Sequence, residues 1–194
     1  QDALTAASAN GQDDVINIAA GTYEATLPAR FLYASSEDYT LEINGAGAAS
    51  TILTAPPGAE HPILGIGISA GSPVGATATV TVRNLRFYNG PNSGLSVNVP
   101  YQNVTIENCR FDQNRAADLF AGGATIFTEG YSTSILVRNS TFGGNTGGQY
   151  GAGLRVRAMG NSTLENNTFI QNHLLAGGTG GGANIEASGS SAII

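Results

Sequence analysis

Val104-Thr-Ile-Glu-Asn108-Cys-Arg-Phe111 is the stretch from which the fold can be read. Three other segments align with it without gaps: Val80-Thr-Val-Arg-Asn84-Leu-Arg-Phe87, Ile135-Leu-Val-Arg-Asn139-Ser-Thr-Phe142 and Ser162-Thr-Leu-Glu-Asn166-Asn-Thr-Phe169. The last three units are each followed by a further asparagine at one common offset: Asn114, Asn145 and Asn172. Between the units runs a second repeated element: Gly94-Leu-Ser-Val-Asn-Val99, Gly123-Ala-Thr-Ile-Phe-Thr128, Gly153-Leu-Arg-Val-Arg-Ala158 and Gly182-Ala-Asn-Ile-Glu-Ala187.

The aligned phenylalanines stand 24, 31 and 27 residues apart. Such a period holds two or three short alternating strands with their turns, and nothing in it has helical spacing. A unit this small cannot bury its own apolar face, so it must stack on its neighbours. One coil per period, with strands parallel from coil to coil, predicts an all-β chain folded as a right-handed parallel β-helix.

Stacking assigns each column a role. Val82, Ile106, Val137 and Leu164 form one inward aliphatic ladder, and Val97, Ile126, Val156 and Ile185 a second. Phe87, Phe111, Phe142 and Phe169 form an aromatic column, with coils about 4.8 Å apart. Asn84, Asn108, Asn139 and Asn166 mark a corner, where the expectation is an inward amide ladder bonded to itself and to turn carbonyls. Arg83, Glu107, Arg138 and Glu165 share an outward register position, so opposite charges alternate up the stack. Opposite charges on adjacent strands contribute about 0.2–1 kcal/mol per pair, which fixes register more than it stabilises.

The chain reads as a single domain over 1–194. Residues 1–12 form an N-terminal capping helix, 13–79 the irregular first coils, and 80–194 the regular coils. The cap is expected at Asp2-Ala-Leu-Thr-Ala-Ala-Ser-Ala-Asn10-Gly11, Ala-rich and stopped by Asn-Gly, because an exposed terminal coil is a sticky edge. At the other end Ser-Ser-Ala-Ile-Ile194 reads as the opening of a fifth repeat. The C-terminal end is therefore expected to be uncapped, to continue, or to stack on another molecule.

Composition narrows the function. Of 194 residues, 27 are Gly and only 11% are charged; there is no Lys and no Trp. Average domains are about 25% charged, so Asn, Ser, Thr and Gly must cover this surface. A net charge of −6 with eight dispersed Arg argues against nucleic acid, which wants a basic stripe. No apolar run approaches the roughly 18 residues of a membrane span. Cys109 is alone, so no intrachain disulfide can form.

The run Asp14-Val-Ile-Asn-Ile-Ala-Ala-Gly-Thr-Tyr23, followed by Leu41-Glu-Ile-Asn-Gly-Ala-Gly47 and Thr51-Ile-Leu53, resembles the N-terminal entry of pectin-lyase-like parallel β-helices. The later Asn-x-x-Phe-x-x-Asn units and Gly181-Gly-Ala-Asn184 resemble repeats of bacterial surface β-helix proteins, the choice-of-anchor and polymorphic outer-membrane-protein types. This resemblance covers nearly the whole chain. It implies a fold shared by polysaccharide lyases, glycosidases, adhesins and passive stalks, so function must be argued from a site.

The lyases of that group need clustered carboxylates for calcium and a basic residue as proton acceptor. No such outward column is seen, and no Lys exists to serve as base. Hydrolases of that group need paired carboxylates, and of their Asp-Asp, Gly-His-Gly and Arg-x-Lys elements only Asp13-Asp14 is present, at a strand entry. Gly177-Gly-Thr-Gly-Gly-Gly-Ala183 lacks the aspartate of calcium-binding nonapeptides. His61 and His173 lie far apart and read as loop residues. No catalytic residue, metal site or cofactor is therefore assigned. Sequons occur at Asn103, Asn139, Asn161 and Asn166, two of them expected to face inward.

One surface remains as a candidate binding site. The connections 115–122, 146–152 and 173–181 are longer than their counterpart at 90–93 and emerge on one edge. They place Asp118, Phe120, Tyr150, His173 and Leu174 on neighbouring coils, where aromatic rings beside polar groups suit a polysaccharide or cell-surface protein. The expected function is a structural or adhesive, non-catalytic region of a larger exported or cell-surface protein. The alternatives are a polysaccharide lyase or hydrolase, and a subunit that associates end to end.

Overall fold

A computed structural model describes residues 1–26, 30–69, 78–116, 120–175 and 177–193. It is a right-handed parallel β-solenoid of about six turns, with one helix at its N-terminus. Three sheets line its length. Sheet I contains Asp14–Ile18, Leu41–Gly45, Thr79–Arg83, Asn103–Glu107, Ser134–Arg138, Asn161–Glu165 and Ser191–Ile193. Sheet II contains Gly21–Glu24, Thr51–Thr54, Arg86–Tyr88, Arg110–Asp112, Thr141–Gly143 and Thr168–Ile170. Sheet III contains Phe31–Ser35, Leu64–Ile68, Leu95–Asn98, Ala124–Thr128, Leu154–Ala158 and Ala183–Ala187. The chain visits the sheets in that order, once per coil, and every strand pairing is parallel.

The registers place the repeat's columns on top of one another. Val82, Ile106, Val137 and Leu164 are successive partners in sheet I, and Ile43 and Ile16 extend that ladder toward the N-terminus. In sheet III, Val97, Ile126, Val156 and Ile185 do the same, continued by Ile66 and Tyr33. Period-2 side-chain alternation directs these residues into one continuous core. The phenylalanines of sheet II stack almost parallel, with ring centroids 4.9, 4.7 and 4.9 Å apart.

The asparagine ladder is real, but it is not where the sequence suggested. Asn108, Asn139 and Asn166 are exposed, and Asn84 is half-buried. These four adopt φ of +51° to +60°, the left-handed conformation that turns the chain from sheet I into sheet II. Asparagine tolerates that region better than other residues with a Cβ, which is the physical reason it recurs here. The inward ladder lies six residues later, at Asn114, Asn145 and Asn172. Asn114 donates through Nδ2 to Asn145 Oδ1 at 3.1 Å, and Asn145 to Asn172 Oδ1 at 2.9 Å. The same amides donate to the carbonyls of Phe87, Phe111 and Phe142 at 2.8–3.0 Å. Because Asn139 and Asn166 are exposed, inward orientation is no argument against their sequons.

Exposure also reaches the outward charge column. Glu107 partners both Arg83 and Arg138 in register, and Arg138 partners Glu165. Arg138 pairs with Glu107 at 3.0 Å, whereas Arg83 reaches back to Glu42 of the preceding coil.

The glycine that opens each sheet III unit is set by close approach. A Cβ on Gly123 would lie 2.2 Å from the Gly153 carbonyl oxygen and 3.0 Å from the Phe142 ring; on Gly153 it would lie 2.5 Å from the Gly182 carbonyl oxygen. Gly123→Ala should therefore cost about 1–3 kcal/mol by forcing two coils apart. Urea unfolding should show it as a lowered midpoint with the m-value unchanged.

At the N-terminus the helix Asp2–Ala7 buries Leu4 and Ala7 against the first coil. It is shorter than the 1–12 cap expected, because Asn10 and Gly11 (φ +72°) already turn the chain toward sheet I. The Gln1 side chain clamps it to the edge strand of sheet III, donating to the Leu32 carbonyl and accepting from the Leu32 amide, both at 2.8 Å. The cover is partial. A cavity of about 390 Å³ remains between Leu4, Ile16, Tyr23, Phe31 and Leu53.

Candidate functional site

The edge between sheets II and III is built by pairing of the loops themselves. Thr146 is bridged to Arg115 on one side and paired with His173 on the other, and Gly147 pairs with Leu174. Further out, the Gly148 amide donates to the Phe120 carbonyl at 3.4 Å, and Tyr150 is bridged to Thr179. The connections thus extend the coil stack as a short fourth ribbon, which explains why residues distant in sequence share one edge.

On that edge Phe120 is 42% exposed, and His173 is exposed. Tyr150 is half-buried, with the Arg155 guanidinium seated 4.4 Å over its ring. One face of that ring is already taken by a cation. Asp118 lies outside the described residues. Leu174 is half-buried, while Leu175 beside it is 40% exposed.

A second surface had no place in the sequence reading. At the far edge of sheet III a groove of about 600 Å³ is lined by Tyr101, Phe127, Glu129, Arg157, Met159 and Glu186 among others. Phe127, Arg157 and Glu186 are successive register partners. Arg157 lies 5.0 Å over the Phe127 ring and 3.9 Å from Glu186, which Arg155 approaches at 3.6 Å. The signal was available in the outward positions of the Gly-led repeats, where Phe, Arg and Glu align. A column of three unlike residues does not stand out as a repeat, which is why the alignment alone conceals it.

Asp13, Asp14 and Cys109 make contacts within the fold. Asp13 accepts the Thr40 amide at 2.7 Å, and Asp14 accepts the Asn10 amide group at 2.8 Å, so the Asp-Asp motif ties the entry strand in place. Among the described residues, no group of three or more His, Cys, Asp and Glu could hold a metal ion. Nor is any helix there long and apolar enough to cross a membrane.

Cys109 sits at the corner between sheets I and II, its backbone amide donating to Ser140 Oγ at 3.1 Å and its thiol to the Glu107 carbonyl at 3.3 Å. The Ser140 backbone amide in turn donates to Asn167 Oδ1 at 3.0 Å, so Cys109, Ser140 and Asn167 make a second inward polar file. Burial pushes the Cys109 thiol up to about 12 from its ordinary 9.0. Between these values the unfolded chain has lost its thiol proton and the native chain has not. Stability present below pH 9 should therefore fall as pH rises toward 12. A thiol-directed reagent at neutral pH should label Cys109 only after denaturant is added; labelling of the native protein at the rate of a free cysteine would contradict this burial.

Residues 64–194 match the family described as the right handed beta helix region. The chain belongs to that family. No curated protein and no solved structure matches it. Membership agrees with the coil geometry and leaves activity open, since a β-helix is a scaffold on which unrelated sites are built.

Proposed function

We propose that this β-helix is a structural or adhesive, non-catalytic region of a larger exported or cell-surface protein, and that it meets a polysaccharide or surface-protein partner along the edge carrying Phe120, Tyr150 and His173. One observation supports this above others: four carboxylates on the outer faces of the sheets are held by arginines. Glu42 pairs with Arg83, Glu107 with Arg138, Asp112 with Arg86 and Arg110, and Glu186 with Arg155 and Arg157. A carboxylate so held has oxygens committed to its neighbour and is less free to meet a cation or a substrate. The polar, Lys-free surface and the aromatic loop residues fit a partner recognised by hydroxyl and ring contacts.

The sheet III groove favours a second reading, a polysaccharide lyase or hydrolase, because Glu129 and Arg157 line it beside aromatic and apolar surface. Incubation of the chain with pectin, alginate and related polymers separates the two. Retention without cleavage, weakened by Phe120→Ala, supports the adhesive reading. Release of unsaturated or reducing ends, abolished by Glu129→Gln, would replace it.

A further inference from the structure

The outward face of sheet II holds a charge arrangement that the coil register alone would disfavour. Arg86 and Arg110 are direct partners on adjacent strands, where like charges repel. Asp112 stands two residues beyond Arg110 and so on the same face. Its Oδ2 accepts the Nε–H of Arg86 at 2.7 Å and lies 2.5 Å from Arg110 Nε in an ion pair. The Asp112 side chain is only 8% exposed, so the carboxylate is a fixed part of the wall. Two cations and one anion leave this spot with a surplus positive charge.

Both guanidinium groups close on one shared oxygen through Nε, which leaves their Nη donors for another acceptor. Arg86 is held in place by stacking 4.5 Å over the Tyr88 ring. Arg110 is half exposed. Room for the acceptor comes from the next coil, where the register partner of Asp112 is Gly143. A Cβ there would stand 3.2 Å from Asp112 Oδ1 and 3.5 Å from Ile170 Cγ2. The resulting notch has a volume of about 220 Å³ and is bordered by Thr141 and Gln171, with Ile170, 53% exposed, along its wall.

We propose that this notch is an oxyanion subsite that takes a sulfate or phosphate ester, with the body that carries the ester resting on Ile170. A planar carboxylate is saturated by one guanidinium fork. A tetrahedral anion offers a separate oxygen edge to each of two forks about 4.8 Å apart on successive coils.

The test is a titration of the intact, isotope-labelled chain at constant ionic strength with glucose 6-sulfate, glucose 6-phosphate, galacturonate and chloride. Saturable shifts of the Arg86 and Arg110 Nε–H resonances and the Ile170 methyls are expected with one or both esters, and the tighter ester identifies the source. Arg110→Gln should weaken that binding about tenfold, with Arg110→Lys recovering part of it. Ile170→Ser, at an exposed position, should weaken ester binding while leaving the fold intact. Equal responses to chloride or galacturonate, or binding unchanged in both Arg110→Gln and Ile170→Ser, would overturn the assignment.

Discussion

Asn145→Ala should lower the free energy of unfolding by about 3–5 kcal/mol, while Asn108→Ala should cost only about 1 kcal/mol. Asn145 is the central rung of the buried ladder and is itself fully buried. Its Oδ1 accepts both the Asn114 backbone amide at 3.0 Å and the Asn114 side-chain amide at 3.1 Å. Its Nδ2 donates to the Phe111 carbonyl at 2.9 Å and to Asn172 Oδ1 at 2.9 Å. Truncation strands the Asn114 backbone N–H in a dry interior, which costs about 1–3 kcal/mol, and removes the second donor of the Phe111 carbonyl and the donor to Asn172. The Asn114 side chain keeps its bond to the Phe87 carbonyl, and the Asn172 carboxamide keeps the backbone amide of residue 145, so the loss stops short of the whole network. Asn108 loses nothing buried; alanine there only strains a left-handed corner at φ +53°. Paired urea titrations of the two variants decide the matter. Equal losses would mean that the corner, and not the ladder, bears the load.

The second large effect is expected at Phe111. Its ring is fully buried, 4.9 Å from Phe87 and 4.7 Å from Phe142, with planes within 3° and 4° of parallel. Phe111→Ala opens a hole in the middle of a stack that cannot close without moving two coils, and such truncations cost about 3–5 kcal/mol. Phe111→Leu should cost less, about 1–1.5 kcal/mol, because the column already accepts Leu53 below Phe87. Each coil of a solenoid leans chiefly on its neighbours. Hydrogen exchange in Phe111→Ala should therefore quicken first in the strands 86–88, 110–112 and 141–143. Protection lost uniformly along the chain would argue that the stack is not a local unit.

The coil period, the three-sheet layout and the inward aliphatic and aromatic columns were legible from four aligned segments. A parallel register copies each residue type onto its neighbour, so a column in space is a column in the alignment. The sheet III glycines were equally visible as a repeat, but their cause was not. Only the 2.2 Å separation between a Gly123 Cβ and the next coil's carbonyl shows why no side chain fits. The amide ladder was misplaced for a related reason. Two asparagine columns recur six residues apart, and sequence alone does not say which turns inward. Left-handed corners at Asn108 and again at Gln113 rotate the chain between them, and that pair of turns sends Asn114 into the core and leaves Asn108 in solvent.

The sequence by itself determined the architecture, since the main columns of the core recur with the repeat and a stacked chain can satisfy that recurrence only by coiling. The surfaces were decided by the tertiary structure. The groove around Phe127 and Arg157 and the Asp112 carboxylate shared by two arginines join residues from different coils, at positions where the repeat varies. Such side chains meet because strands lie about 4.8 Å apart across coils, and what forms between them depends on which unlike residues that spacing brings together.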